Sequence, residues 1–343
     1  MSALDLTISE AMFYQPLADG VVRCALCRMG CRIGPGERGR CGVRENQGGV
    51  LVSLVYGRLC AEHLDPIEKK PLFHVLPGSL TYSIAAPGCN FRCRHCQNYA
   101  ISQVPAGATI QGVVRRPEEV VARAMANRCP SLSYTYTEPT VAFEFALHTA
   151  RLARRAGLKN IFVTNGYISP EALAAIAPVL DAANIDLKGF GEPFYREVVG
   201  AKLSAVLDTI IDYRRHGIWV ELTTLIIPGL NDSEAELKGI ASFIINHLGA
   251  DTPWHVSQFY PTYQLTDRPR TPVATLRLAR DLGQAAGLRY VYEGNVPGAG
   301  GEDTRCPACA VTVITRRGFT VLENRLRQGH CPDCGAEIAG VGL

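Results

Sequence analysis

Between residues 80 and 294 the chain alternates short β-rich runs with helix-length segments, and this alternation constrains the fold more than any other feature. Strand-like runs fall at 80–86, 132–137, 160–166, 184–189, 219–226, 254–260 and 289–294. Helical stretches fall at 117–128, 141–157, 169–181, 202–216, 231–249 and 271–287. Pro117 with two acids behind it and the Ser169-Pro170 pair are good helix starts, and Gly157 is a good stop. Strict alternation means βα units on a parallel sheet. Right-handed crossovers repeated this often give a barrel or an open doubly wound sheet. About six or seven units fall short of the eight of a closed barrel. No GxGxxG follows the first strand, which argues against a dinucleotide site.

Outside that region the character changes. Residues 1–79 are irregular, with turn-rich 34–42 and 45–49 and one strand-like run at 50–57. Pro66, Pro71 and Pro77 oppose long elements between 65 and 79. The run 296–303 reads as a linker. The expected division is therefore a Cys-rich N-terminal subdomain (1–79), a βα domain (80–295) and a small C-terminal unit (296–343). With 47% hydrophobic and 20% charged residues, the 343-residue chain is neither disordered nor collagen-like. A net charge of +3 is too small to make nucleic acid the main partner. No apolar run approaches the ~18 residues of a transmembrane helix. The N-terminus carries Asp5 and Glu10 and no basic segment, so the expected location is the cytoplasm.

There the 13 cysteines stay reduced, and grouped cysteines read as ligands rather than disulfides. Cys60 and Cys129 stand alone. Cys89, Cys93 and Cys96 follow the first strand, where α/β barrels place their chemistry. One tight loop can direct three thiolates to one point. Structural zinc and ordinary iron–sulfur clusters usually take four ligands, so a tripod leaves a metal position open for substrate or cosubstrate. The alternatives are a chance triplet or zinc completed by His95. Cys306-Pro-Ala-Cys309 and Cys331-Pro-Asp-Cys334 flank a hairpin turning near Arg317-Gly318, which is the pattern of a zinc ribbon. Gly335 follows the second knuckle, where a positive φ is often needed, and Ala310 fills the equivalent place in the first. Arg305, Arg316, Arg317, Arg325 and Arg327 make this unit basic, fit to meet an acidic surface or to cap the fold. The spacing Cys24-x2-Cys27-x3-Cys31-x9-Cys41 fits neither common ferredoxin pattern. Zinc, an auxiliary iron–sulfur cluster and partly unmetallated thiols are all open there.

A CX3CX2C run at the end of the first strand of a six-stranded partial barrel resembles the radical S-adenosylmethionine (SAM) superfamily, over roughly residues 80–295. The resemblance implies a partial (β/α)6 TIM-type barrel. It implies that Cys89, Cys93 and Cys96 hold a 4Fe-4S cluster whose open iron is chelated by S-adenosylmethionine. One electron then cleaves the sulfonium to methionine and a 5′-deoxyadenosyl radical, which abstracts a hydrogen atom. Glu138, in Tyr136-Thr137-Glu138-Pro139, stands where the family often has Gly-Gly-Glu and accepts the cofactor ammonium; otherwise it is an acid beside a helix start. Asn165 binds ribose hydroxyls or serves the turn at Gly166. Asp186-Leu187-Lys188 resembles the Asp-x-Lys of glycyl-radical-enzyme activating enzymes, where Asp binds ribose and Lys the methionine carboxylate. Strand alternation puts both on one face, with an ordinary ion pair as the other reading. His255 opens the sixth strand, where that group has a His near the cofactor; alone it is as readily structural.

Longer stretches carry a narrower resemblance. The runs 24–27, 31–49, 63–98 and 290–298 with the terminal CPxC pair resemble the radical SAM enzyme of the AmmeMemoRadiSam system, in the pyruvate formate-lyase activating enzyme-like group. This implies an external one-electron reductant of flavodoxin or ferredoxin type, companion proteins of the AMMECR and Memo types, and an unspecified substrate. A glycyl-radical-enzyme activase acting on a protein is the rival enzyme. A zinc-dependent binding protein without catalysis is the rival from another class.

Overall fold

A computed structural model describes residues 8–296, 298 and 300–343. Residues 1–7 of the expected N-terminal subdomain, and positions 297 and 299 of the expected linker, lie outside the described residues. The chain forms two compact units, Met1–Asp65 with Thr81–Asp181, and Pro66–Leu80 with Ala182–Leu343. Among the described residues no helix is long and apolar enough to cross a membrane.

In the first unit β1 (Leu80–Ala85), β2 (Ser131–Tyr134) and β3 (Lys159–Thr164) lie parallel, each beside the next. Every residue of β2 is buried, as expected of a parallel strand covered on both faces. Two of its polar side chains bond across the sheet: Ser133 meets Thr81 at 2.7 Å and Tyr134 donates to Asn160 at 3.3 Å. The connecting helices are α1 (Pro117–Ala126), α2 (Phe143–Arg155) and α3 (Pro170–Ile176). Helix α3 stops well short of the expected residue 181. Pro178 has no N–H to continue the ladder, and the chain tightens into a 3-10 turn at Ala177–Val179. Two small antiparallel sheets precede the βα layer, Ser9–Glu10 with Val50–Ser53 and Arg44–Gln47, and Tyr14–Pro16 with Val22–Cys24 and Arg32–Ile33. They are tied to the loop after β3, where Arg28 N donates to Tyr167 O at 3.0 Å and Ser169 N to Leu26 O at 3.0 Å. The buried Arg44–Glu144 pair, 3.0 Å, ties them to α2.

In the second unit β4 (Ala182–Asp186), β5 (Trp219–Ile226), β6 (Trp254–Gln258) and β7 (Val291–Gly294) are likewise parallel and consecutive. Helices α4 (Leu203–Arg215), α5 (Glu234–His247) and α6 (Val273–Ala285) alternate with them. Among the described residues neither unit shows the reversal of strand order that marks a doubly wound sheet. A helical turn at Glu192–Phe194 running into a π-type turn at Tyr195–Val199 was not anticipated from sequence. It buries Tyr195, whose hydroxyl accepts from Lys188 N at 3.0 Å.

The C-terminal hairpin pairs Thr312–Arg317 with Thr320–Asn324 and closes at Arg317↔Thr320. Its core is shared with Phe73, Tyr290 and Tyr292. Arg316, one of the five arginines of this basic unit, is buried. It stacks on Phe73 at 4.4 Å and lies 3.5 Å from a fully buried Glu68. The two cysteine knuckles are built alike: Ala310 N donates to Cys306 O and Gly335 N to Cys331 O, both at 2.9 Å. Gly335 has φ +74° and Ala310 φ +61°, so the alanine sits in the left-handed region without glycine's freedom. Ala310→Gly should therefore stabilise this unit by about 0.5–1 kcal/mol. Its unfolding midpoint in denaturant should rise; a fall would show that Ala310 is not strained.

Candidate functional site

The chain leaves β1 through Gly88, which has φ +104°. A Cβ there would sit 2.8 Å from Val43 Cγ1 and 3.0 Å from Cys41 O, so only glycine lets the loop pass this close to the N-terminal segment. Gly88→Ala should cost about 1–3 kcal/mol through strain at this one residue. Loss of iron uptake and a lower melting temperature are the expected readouts; an unchanged protein would remove this constraint.

The following loop carries Cys89, Cys93 and Cys96. Phe91 is buried edge-on against Tyr167 at 5.1 Å and pins the loop to the turn after β3. Arg92 closes it by donating to Cys89 O at 2.9 Å and Phe91 O at 3.0 Å, and to Arg40 O. Cys96 N bonds Cys93 O at 3.2 Å, and Cys96 Sγ lies 3.2 Å from Ser102 Oγ. N–H donors already face Cys89 Sγ, from Phe91 N at 3.4 Å and Asn165 Nδ2 at 3.7 Å. Such donors stabilise a thiolate, and thiolates are what bind metal. Without metal, burial holds the Cys89 thiol well above its ordinary range, with Glu138 and Cys93 adding to the effect.

Glu138 and Asn165 come from the next two strand ends. Asn165 Nδ2 also donates to Asn90 Oδ1 at 2.7 Å, and Asn165 Oδ1 accepts from Tyr167 N at 3.1 Å. It therefore bonds within the turn and at the same time touches the cysteine loop. Glu138 is buried and collects four donors: Thr140 N at 3.0 Å, Thr140 Oγ1 at 2.5 Å, Thr164 Oγ1 at 2.8 Å and Asn165 N at 2.8 Å. Three of the four reach Oε1, so Oε2 keeps room for a further donor. Burial raises its pKa while these bonds oppose the shift. Just before it, Tyr136 has φ +64°, an uncommon conformation for a non-glycine residue at a strand end. Asn98 Nδ2 holds its carbonyl at 2.7 Å.

The first unit thus brings together Cys89, Cys93, Cys96, Glu138 and Asn165. The second unit holds the rest of the expected set. Lys188 Nζ meets Asp186 Oδ2 at 2.8 Å, with both side chains partly exposed. Asn231 Nδ2 bonds Lys188 O at 2.7 Å and fixes the backbone there. His255 is buried, with Nε2 2.7 Å from Glu221 Oε2. Glu221, which sequence reasoning did not single out, also accepts from the backbone N–H groups of Phe73 and His74. The C-terminal Cys306, Cys309, Cys331 and Cys334 bring their sulfurs within 4.8 Å of one another, a closed four-thiol site. Pairs lie at 3.5 Å (Cys306–Cys334) and 3.7 Å (Cys309–Cys331).

Three thiols thus share one loop at a parallel-strand exit of an α/β fold, with N–H donors turned to the first sulfur. Residues 83–241 match the radical SAM superfamily. An uncharacterized protein of Methanocaldococcus jannaschii is 48% identical over 331 residues, covering 96% of this chain and 98% of its own. The isethionate sulfite-lyase activating enzyme of Nitratidesulfovibrio vulgaris is 27% identical over 175 residues, 48% of this chain and 57% of that protein. Among solved structures, a radical SAM methyltransferase from Sphaerobacter thermophilus shares the fold, with a TM-score of 0.51 and 13% identity over 86% of this chain and 81% of that one. The chain belongs to the radical SAM superfamily.

Proposed function

We propose that this protein cleaves S-adenosylmethionine reductively at a 4Fe-4S cluster held by Cys89, Cys93 and Cys96. The observation that carries the reading is the Cys89 loop itself, three thiols with N–H donors facing the first sulfur and the acid and amide of the next two strand ends beside it. The residues fit the group. The three sulfurs do not all gather within 4.8 Å as they would around a single ion. When bound, cluster and S-adenosylmethionine together supply a 5′-deoxyadenosyl radical that abstracts hydrogen from the substrate.

The protein's own share is binding and orientation. Glu138 Oε2 accepts the cofactor ammonium, a charge-assisted bond that opposes the upward shift burial gives this acid. Asn165 orients Cys89 and contacts the cofactor's ribose. Asp186 and Lys188 are assigned to ribose and carboxylate by their motif, and the 2.8 Å ion pair keeps the ammonium of Lys188 aimed. His255 acts with its ring oriented by Glu221 in the manner of a carboxylate-held imidazole. The terminal four thiols take structural zinc, whose Zn–S length of about 2.3 Å sets sulfurs about 3.8 Å apart in a tetrahedron. A flavodoxin- or ferredoxin-like protein in the cytoplasm supplies the electron. The motif resemblance supports membership of the AmmeMemoRadiSam group with AMMECR- and Memo-type companions. A glycyl-radical-activating role on a protein substrate is the second reading, supported by the relative named as an activating enzyme.

Asp186→Asn and Lys188→Met should keep the cluster but weaken S-adenosylmethionine binding. Each loses a charge-assisted contact of about 1.5–3 kcal/mol, roughly ten- to a hundred-fold in affinity. Titration of the cofactor against the cluster's spectrum reads this, and equal affinity in both variants would make the pair purely structural. The reading as a whole is tested by anaerobic assay for 5′-deoxyadenosine, whose absence under reducing conditions contradicts it.

A further inference from the structure

We infer that Cys24, Cys27, Cys31 and Cys41 hold a second iron–sulfur cluster, of the four-iron type, beside the first. The inference rests on the reading that Cys89, Cys93 and Cys96 hold a cluster. All four cysteines line one cavity in the first unit, closed by the apolar side chains of Leu26, Met29 and Val141. The terminal quartet shows what a single-ion site looks like in this same chain, with all four sulfurs within 4.8 Å. Among the described residues no three of the Cys24, Cys27, Cys31 and Cys41 sulfurs gather that closely. The Cys89 loop is spread in the same way. A four-iron cluster gives each thiolate its own iron and so holds the sulfurs wider apart than one zinc does.

The cavity wall also carries donors with nothing to donate to. Arg44 is 1% exposed and lines the cavity. Its Nη2 is spent on Met12 O at 2.6 Å and Glu144 Oε1 at 3.0 Å. Its Nε and Nη1 are buried without a partner. Buried donors are almost always satisfied, so orphaned ones facing a cavity mark missing acceptors. The sulfides and thiolates of an anionic cluster are such acceptors, and hydrogen bonds to cluster sulfur are a usual means of setting its potential. Arg44 also offsets part of the cluster's negative charge.

Asn90 links this site to the catalytic loop. It follows Cys89 directly and takes the Asn165 amide that also reaches Cys89 Sγ. A cluster in this cavity would share Asn90 with the Cys89 loop, and unpaired spins on neighbouring clusters couple when both are reduced.

The test is anaerobic reconstitution of the full chain with iron and sulfide, followed by metal counts and EPR after dithionite reduction. The wild type should hold about eight irons, and Cys89→Ala/Cys93→Ala/Cys96→Ala about four, with a reducible four-iron signal retained. The Cys24→Ala/Cys31→Ala variant should also fall to about four. The doubly reduced wild type should give a spectrum broadened beyond the sum of the two variants. The triad variant leaves the N-terminal site untouched, so its iron count decides even if the other variant fails to fold. A triad variant with no iron and a second zinc besides the terminal one overturns the second cluster and leaves the first reading standing. Wild type and triad variant both holding about four irons would instead overturn the reading of Cys89, Cys93 and Cys96, with the second cluster intact.

Discussion

Replacing Cys89, Cys93 and Cys96 together with alanine is expected to bring 5′-deoxyadenosine formation down to the protein-free background. The donors from Phe91 N and Asn165 Nδ2 are aimed at Cys89 Sγ, and the loop's course is set by Gly88 and Phe91. The fold should survive. Cys→Ala removes one sulfur each, typically a change of about 1–2 kcal/mol or less per site, while the anchors Phe91 and Arg92 stay. Far-ultraviolet circular dichroism should match the wild type. Persistent turnover in the triple variant would place the chemistry elsewhere.

The second large effect belongs to the terminal quartet. Cys331→Ser should lower zinc content by one equivalent and unfold the C-terminal unit. Apparent zinc-binding free energies in small finger peptides reach about 10–16 kcal/mol, more than a unit this small gains from its own apolar core. Val313, Ile314 and Ile338 would lose the support that holds them against Phe73, Tyr290 and Tyr292. Protease sensitivity should therefore appear after about residue 296, and amide exchange should rise along the hairpin. The catalytic cluster should keep its iron. Zinc content that does not fall would refute the ribbon assignment.

Local signals carried much of the fold. Ser169 caps its helix by accepting from Ala172 N, as its position before Pro170 suggests. The hairpin turned near Arg317-Gly318 because that turn is written into adjacent residues. What the sequence hid depends on residues far apart along the chain. Arg44 meets Glu144 across a hundred positions, and Arg316 reaches back to Glu68 and Phe73. A basic segment looks alike in sequence whether its arginines face solvent or a buried acid. The wiring of Glu138 to Thr164 and Asn165 joins two strand ends, and its motif alone gives the acid but not its partners. Helix α3 ended early for a local reason that was visible, Pro178, whose effect on the helical ladder outweighs the apolar pattern around it.

The central claim is that Cys89, Cys93 and Cys96 hold a cluster that delivers an electron to S-adenosylmethionine. Its most direct measurement is a single anaerobic experiment on the reconstituted full chain with dithionite, following the EPR spectrum and the products together. Addition of S-adenosylmethionine should change the spectrum of the reduced cluster, and methionine and 5′-deoxyadenosine should form in equal amounts. Both effects should vanish in the triple alanine variant. A reduced cluster whose spectrum ignores S-adenosylmethionine, with no 5′-deoxyadenosine formed, would contradict the account.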